Sequence, residues 1–478
     1  MNLKQKTIRG LFWAGGAQGG KQFSQFIITA VLANLLDPAD FGLLGMATFF
    51  TGLILVLNEM GLSHALIQKK GIRPDHYFSA FWLSLVVGII FFLLMIPLSI
   101  LIALFYETPS LRSVLLLLST TFFLASFSRV HKTMLSRNME FKKIAIIDSS
   151  AVLIGGIAGI ISALNGFGVY SLIFQQLFLS ITDVVLSWLF CGWRPRFRFS
   201  LPSLKEIWGF SFNLTAFNIV NYFARNLDYL LIGKFMGAQA LGYYTMAYRL
   251  MTYPLQNISW TIMRVMFPAF SKIQEDLERV RFGYKKMIKA ISLITFPMMM
   301  GFFIIAPKFI ILVFGPQWKP AIPLVQIFCI CGMIQSIGTT AGTLILSQGK
   351  AKLNFVLGTL FTITITFVIL IGMNWGFIGV AIAYSIYSIV WIHGVNFLVT
   401  TNLIKLKYSD FYRQLLNSYF IAALMAIFFF LAKMIIPISQ AAGIAALIGI
   451  GGVLYLGLLF LTKELFIRDR KIVIKVLE

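Results

Sequence analysis

The sequence predicts an all-α integral membrane protein of about fourteen transmembrane helices, arranged as two parallel six-helix repeats plus two C-terminal helices. Three observations predict it. Apolar runs are long enough to cross a bilayer, basic loops alternate with neutral turns, and the first part of the chain recurs at a spacing near 200 residues.

The apolar runs come first. Of 478 residues, 59% are hydrophobic and 12% charged, and the mean hydropathy is +0.86. A soluble chain of this length cannot cover its surface with so few charges. A helix of about 20 apolar residues spans the hydrocarbon core. The spans are predicted at residues 10–36, 41–67, 77–104, 111–134, 144–164, 168–190, 209–235, 240–267, 286–306, 320–347, 353–373, 377–399, 412–432 and 441–462. Met1 to Arg9 is short and basic, and the apolar run after it continues to Leu36 without a small-residue cleavage site, so it reads as a retained first span.

Charge placement sets the orientation. The net charge of +23 could suggest nucleic acid. Yet about thirty of the 40 basic residues lie on one side, in every second loop. That side holds Lys4, Lys6 and Arg9, Lys69 to Arg73, Arg129 to Lys143, and Arg194 to Arg198. Lys272 to Lys286, Lys350 to Lys352, Lys405 to Arg413 and the tail from Lys463 follow there. The other side has short turns with almost no charge, such as Asp37 to Asp40, Asn165 to Gly168, Gly237 to Ala240 and Asn374 to Gly376. The reading is a multi-pass inner (cytoplasmic) membrane protein with both termini cytoplasmic, bound to lipids and not to nucleic acid. Pro268 to Lys285 reads as a charged connector between two halves.

The halves resemble each other. Leu36-Asp37-Pro38-Ala39-Asp40-Phe41-Gly42 matches Met236-Gly237-Ala238-Gln239-Ala240-Leu241-Gly242, a shift of 236 − 36 = 200. Asn165-Gly166-Phe167-Gly168-Val169 resembles Asn374-Trp375-Gly376-Phe377-Ile378-Gly379-Val380. An even number of helices per unit keeps the orientation, which makes these parallel repeats. The domains are therefore 1–200, an N-terminal six-helix lobe; 201–402, a C-terminal six-helix lobe; and 403–478, two additional helices and a basic cytoplasmic tail.

Polar residues inside a span are costly and face a cavity or a partner. The seventh span carries Asn218, Asn221, Arg225 and Asp228 at steps of three, four and three, hence on one face. The first carries Gln18, Lys21, Gln22 and Gln25, also on one face and at matching heights under the shift of 200. Facing stripes would line a net-basic cleft, so the candidate substrate-binding residues are Gln18, Lys21, Gln25, Asn218, Asn221, Arg225 and Arg249. The candidate ion-coupling residues are Asp228, Asp183 and Glu59. A structural alternative stays open, in which Lys21 pairs with Glu59 at equal depth and Arg225 with Asp228. Arg129, His131, Lys132, Asp148 and Arg264 lie near the cytoplasmic span ends and read as anchors. Tyr248 could stack on a sugar ring.

Enzyme chemistry finds no support. The chain holds no Walker A loop. Its four histidines, His64, His76, His131 and His393, are scattered. The three cysteines, Cys191, Cys329 and Cys331, read as packing residues. No catalytic residue, metal or cofactor is expected.

Several stretches carry a family resemblance. They are Leu36 to Leu43, Asp228-Tyr229-Leu230-Leu231-Ile232-Gly233-Lys234, and Gly242-Tyr243-Tyr244-Thr245-Met246-Ala247-Tyr248-Arg249-Leu250. Phe314-Gly315-Pro316-Gln317-Trp318 and Trp193-Arg194-Pro195 add to them. In order and spacing they resemble the polysaccharide exporters (Wzx-type flippases) of the multidrug/oligosaccharidyl-lipid/polysaccharide (MOP) superfamily, closest to the colanic acid and teichuronic acid exporter group. The resemblance implies a two-lobed MOP/MATE-like fold. It also implies transfer of undecaprenyl-pyrophosphate-linked oligosaccharide between leaflets for surface polysaccharide biosynthesis, with polysaccharide polymerisation and export proteins as partners. In that reading Lys21, Arg225 and Arg249 suit a diphosphate. A multidrug/cation antiporter of the same superfamily is the alternative, and a scaffold for a glycan-assembly complex the less favoured third. Lys21 in the first span, where antiporters typically place acids, favours an anionic substrate.

Overall fold

The computed structural model describes the backbone of residues 3–59, 62–69, 71–435, 441–462, 465–468 and 471–474. Side chains are described for these, apart from residues 3–18, 59, 64, 68, 207–218, 220, 221, 224, 225, 433–435, 441 and the two terminal strands.

The protein is built from helices. The order is α1 (Leu3–Leu35), α2 (Pro38–Glu59), α3 (Leu62–Gln68), α4 (Pro74–Phe105), α5 (Ser110–Arg137), α6 (Phe141–Leu164), α7 (Val169–Cys191) and α8 (Leu201–Pro254). Then come α9 (Trp260–Lys272), α10 (Leu277–Val313), α11 (Ile322–Ser347), α12 (Ala351–Gly372), α13 (Gly376–Leu398), α14 (Tyr408–Ile435) and α15 (Ala441–Leu461). Each expected span has helix over it. Among the described residues, ten helical stretches are long and apolar enough to cross a membrane, one of them (residues 351–403) holding both α12 and α13. Large apolar side chains such as Leu93, Leu94, Leu101 and Leu104 on α4 point outward, as lipid-facing residues do.

Two features differ from the sequence reading, the connector and the tail. The Pro268–Lys285 connector is mostly helical, since α9 runs to Lys272 and α10 begins at Leu277. The expected seventh and eighth spans are two helices joined end to end in α8, 54 residues in all. A straight helix of that length would reach roughly 80 Å, far more than the hydrocarbon core of about 30 Å. It turns at Gly237, whose φ of 80° suits only glycine comfortably. The basic tail contains a two-stranded antiparallel hairpin, β1 (Leu465–Arg468) with β2 (Lys471–Ile474).

The chain forms two compact units, Met1–Gly242 and Tyr243–Glu478. In the first, α6 lies against α7 and α1 because glycines remove side chains from its contact faces. A Cβ on Gly155 or Gly159 would press on Gln175 and its neighbours in α7, and one on Gly156 would overlap Ile28 of α1. The first stretch of α8 rides on α2 in the same unit. Tyr222 donates from its hydroxyl to the carbonyls of Thr48 and Phe49, at 3.0 and 2.8 Å. At the neutral-turn side the contact is reciprocal. A Cβ on Gly42 would overlap the carbonyl oxygen of Ala238, and a Cβ on Gly242 would overlap that of Pro38. Positions 38 and 42 are those that the shift of 200 carries onto 238 and 242. Nearby, Lys234 reaches Glu107 at 2.8 Å, and this hydrogen bond holds the Glu107 carboxyl below its usual range.

On the basic-loop side of this unit, aromatic side chains form a tight floor. His131 is fully buried and stacks on Trp188, with ring centroids 4.7 Å apart, beside Phe81 and Trp193. In the second unit, α14 and α15 pack on α10 through Leu293, Ile305, Ile421, Met425, Phe429 and Leu447. Its interior buries hydroxyls in pairs, including Ser292 with Ser418 and Thr295 with Ser336, both at 2.8 Å. Pairing satisfies groups that lipid and apolar core cannot. Cys329 and Cys331 are buried and all three cysteines are free, in keeping with packing roles.

Candidate functional site

A cavity of about 340 Å³ opens inside the first unit, lined by Lys21, Gln25, Lys132, Asp148, Ser180 and Asp183 among others. Four helices supply its charges: α1 gives Lys21, α5 Lys132, α6 Asp148 and α7 Asp183. Along their helices Lys21, Asp148 and Asp183 sit at similar depth, roughly 21–24 Å from the neutral-turn ends at 1.5 Å per residue. Lys132 starts nearer the basic-loop side and extends its long side chain inward.

The four charges form one chain of ion pairs. The Lys21 ammonium donates to Asp148 Oδ2 at 3.0 Å. The Lys132 ammonium donates both to Asp148 Oδ1 at 2.7 Å and to Asp183 Oδ1 at 2.6 Å. Two cations and two anions sum to zero, so each charge inside the span has its counterion. Lys132 is the link, since it alone touches both carboxylates. Lys21 is the end group, with one carboxylate partner among the described residues and 29% of its side chain open. Such an end ammonium can exchange its partner for another oxyanion at little geometric cost.

Among the described residues the carboxylate partner of Lys21 is Asp148, which α1 meets by packing along α6. The Glu59 side chain lies outside the described residues. Asp183, an expected ion-coupling residue, is held by Lys132. Lys132 and Asp148, read from the sequence as anchors, belong to the cavity instead. The signal that could have found them is their closeness to the adjoining ends of two antiparallel helices. Lys132 lies five residues before the end of α5, and Asp148 seven after the start of α6.

The other expected site residues fall elsewhere. Gln25 lines the cavity. Gln18, Asn218, Asn221 and Arg225 have side chains outside the described residues. Arg249 is exposed, on the part of α8 within the second unit. Asp228 is buried, and its Oδ1 accepts the Tyr229 amide at 2.9 Å. Tyr248 stacks near-parallel on Tyr244 and lies 3.3 Å, hydroxyl to hydroxyl, from Tyr384, so it serves an aromatic wall of the second unit. Among the described residues, no group of three or more His, Cys, Asp and Glu is placed to hold a metal ion.

Comparison with known proteins gives this geometry a setting. Residues 31–323 match the polysaccharide biosynthesis protein family. The chain is 29% identical over 447 residues to the lipopolysaccharide biosynthesis protein WzxC of Escherichia coli (strain K12), covering 93% of this chain and 89% of that one. It is 28% identical over 462 residues to the teichuronic acid biosynthesis protein TuaB of Bacillus subtilis (strain 168), covering 92% and 94%. Among solved structures, the lipid II flippase MurJ in an inward closed conformation superposes with a TM-score of 0.69 at 18% identity, covering 92% of this chain and 97% of that one. The chain therefore shares the all-α fold of that structure and of an inward-facing multidrug resistance MATE family transporter, which superposes with a TM-score of 0.62 at 16% identity.

Proposed function

Because this chain belongs to the polysaccharide biosynthesis protein family, we propose that it is a flippase for undecaprenyl-pyrophosphate-linked oligosaccharide. It moves this substrate from the inner to the outer leaflet of the cytoplasmic membrane by alternating access, for surface polysaccharide biosynthesis. The basic loops and both termini are cytoplasmic. The six-helix lobes 1–200 and 201–402 carry the transport cycle, with 403–478 as an addition. No covalent chemistry is needed, and polymerisation and export proteins take over the product.

One observation carries the reading within this chain. Two ammonium groups, Lys21 and Lys132, face a cavity in the membrane-spanning part of the first unit. A diphosphate leaves water only for paired cationic donors. In the resting site Asp148 keeps Lys21 in place, and the head group takes Lys21 from it. Lys132 spends two N–H donors on Asp148 and Asp183 and offers the third to the head group, so the diphosphate meets both ammonium groups. Gln18, Gln25, Asn218, Asn221, Arg225 and Arg249 supply further polar contacts as the substrate passes, and Asp228, Asp183 and Glu59 are the groups through which an ion gradient would couple. The antiporter alternative is disfavoured by the matched family and relatives, which are named for polysaccharide biosynthesis.

The experiment is reconstituted flipping of a labelled lipid-linked oligosaccharide in vesicles. Lys21→Gln is expected to abolish flipping while the protein inserts normally. The double variant Lys21→Gln with Asp148→Asn removes the orphaned carboxylate as well. It is expected to stay inactive, because the substrate cation is still missing. Recovery of flipping in the double variant would make Lys21 a structural partner of Asp148 and remove it from the substrate path.

A further inference from the structure

On the basic-loop side of the first unit, away from the cavity, three donors converge on one carboxylate. Glu206, in the first turns of α8, receives the Lys69 ammonium on Oε2 at 2.7 Å and the Arg73 guanidinium on Oε1 at 2.9 Å. His76 is the third donor. Its Nδ1 accepts the Arg73 backbone amide at 3.1 Å, which places the ring proton on Nε2, 3.2 Å from Glu206 Oε2. The histidine ring is fully buried and cannot swing away. Arg137 grips the carbonyls of Leu66, Ile67 and Lys69, which fixes the backbone that carries Lys69.

This is a preformed oxyanion cradle, and both its occupant and Arg73 stand open to solvent. Glu206 stands in for an anion. Its side chain is 41% exposed, and the neighbouring Lys205 is exposed as well. The donors pull the Glu206 carboxyl from 4.5 down to about 2, first through the Lys69 and His76 hydrogen bonds. The rim matches an amphiphile. The preceding segment alternates exposed Arg194, Arg196 and Arg198 with exposed Phe197 (93%) and Phe199 (55%), and Leu201 is 62% exposed. Cations beside open apolar side chains are what a phosphate attached to acyl or prenyl chains would meet at a membrane surface.

We propose that Lys69, Arg73 and His76 form a lipid-phosphate site at the membrane surface, closed at rest by the Glu206 carboxylate and opened when a lipid phosphate displaces it. The phosphate could come from an anionic bilayer lipid or from a prenyl diphosphate, and both present the same oxygens. The site is separate from the Lys21 cavity and stands whether or not that cavity transports anything.

The test is calorimetric binding of inorganic pyrophosphate to the purified full-length protein in neutral detergent. Glu206→Gln removes the competing charge and is expected to bind at least tenfold more tightly than the wild type. Adding Lys69→Gln and Arg73→Gln to that variant is expected to erase the gain. Glu206→Asp keeps the charge on a shorter arm and is expected to fall between, which gives a reading even if Glu206→Gln is too unstable to purify. Equal affinity in wild type, Glu206→Asp and Glu206→Gln, or a gain that survives loss of both Lys69 and Arg73, would overturn the proposal and leave Glu206 as a structural tie. Native mass spectrometry of Glu206→Gln from vesicles holding phosphatidylglycerol or polyprenyl diphosphate names the source by which lipid is retained. Retention of neither, with pyrophosphate bound, would overturn the lipid assignment.

Discussion

Replacing Lys132 by Gln should destabilise the first unit more than replacing any other member of the cavity's ion-pair chain. The reason is connectivity. Lys132 holds Asp148 at 2.7 Å and Asp183 at 2.6 Å, with 30%, 27% and 16% of the three side chains exposed. Each attraction is worth roughly 6 kcal/mol at an effective dielectric of about 20, but removing the ammonium from water offsets most of that. The net effect is set by what remains. Without Lys132, two carboxylates share the single ammonium of Lys21, which touches only Asp148, and Asp183 is left without its cation. Breaking a fully buried pair costs about 3–5 kcal/mol. Partial exposure lowers this to about 2–4 kcal/mol, by screening. Unfolding in mixed micelles with rising dodecyl sulfate, followed by tryptophan fluorescence, measures it. Adding Asp183→Asn removes the stranded charge and should return more than half of the loss. If Lys132→Gln unfolds at the wild-type midpoint, or if Asp183→Asn adds its own loss instead of relieving it, the chain is not an energetic unit.

Other expectations follow from single contacts. Gly42→Ala or Gly242→Ala should lower stability by about 1–3 kcal/mol, as an added methyl does in a packed contact, measured by the same unfolding assay. The Glu206 tie contributes fully above pH about 4.5, where the free carboxylate is ionised, and fades as pH falls towards about 2. Hydrogen exchange of residues 200–206 should therefore hold from pH 7 to about 4.5 and rise below it, whereas Glu206→Gln should show no such acid step. A cysteine at Ala238 should react with a membrane-impermeant thiol reagent from outside the cell. Labelling only after permeabilisation would reverse the assigned orientation.

The spans were legible because apolar runs and basic loops are long-range signals, and neither depends on which helices touch. The cavity was only half legible. Lys21 could be placed at the right depth, but depth leaves several antiparallel neighbours open, and its contact with Asp148 rests on α1 packing along α6 through Ile28 and Gly156. Lys132 was hidden for another reason. A lysine five residues from a helix end can send its ammonium outward to the head groups or inward to a carboxylate, and only the presence of Asp148 and Asp183 beside it decides. The terminal hairpin was missed because its residues, from Leu465 to Ile474, mix charges with apolar residues too briefly for a period to emerge.

The reciprocal contact of the two neutral turns places one steric demand at two separate positions of the chain. Two identical halves meeting about a twofold axis would make this contact twice from one gene, glycine of one copy on the carbonyl of the other. Any new side chain at that glycine would then do its damage in duplicate. In a single chain the two glycines are separate positions, and so are the two carbonyl oxygens they meet. Those oxygens belong to unlike residues, proline at 38 and alanine at 238, because only the backbone is used there. The glycines carry the steric demand, so a side chain can vary on one side of each contact and not on the other. One turn can therefore be altered while its counterpart keeps its own contact.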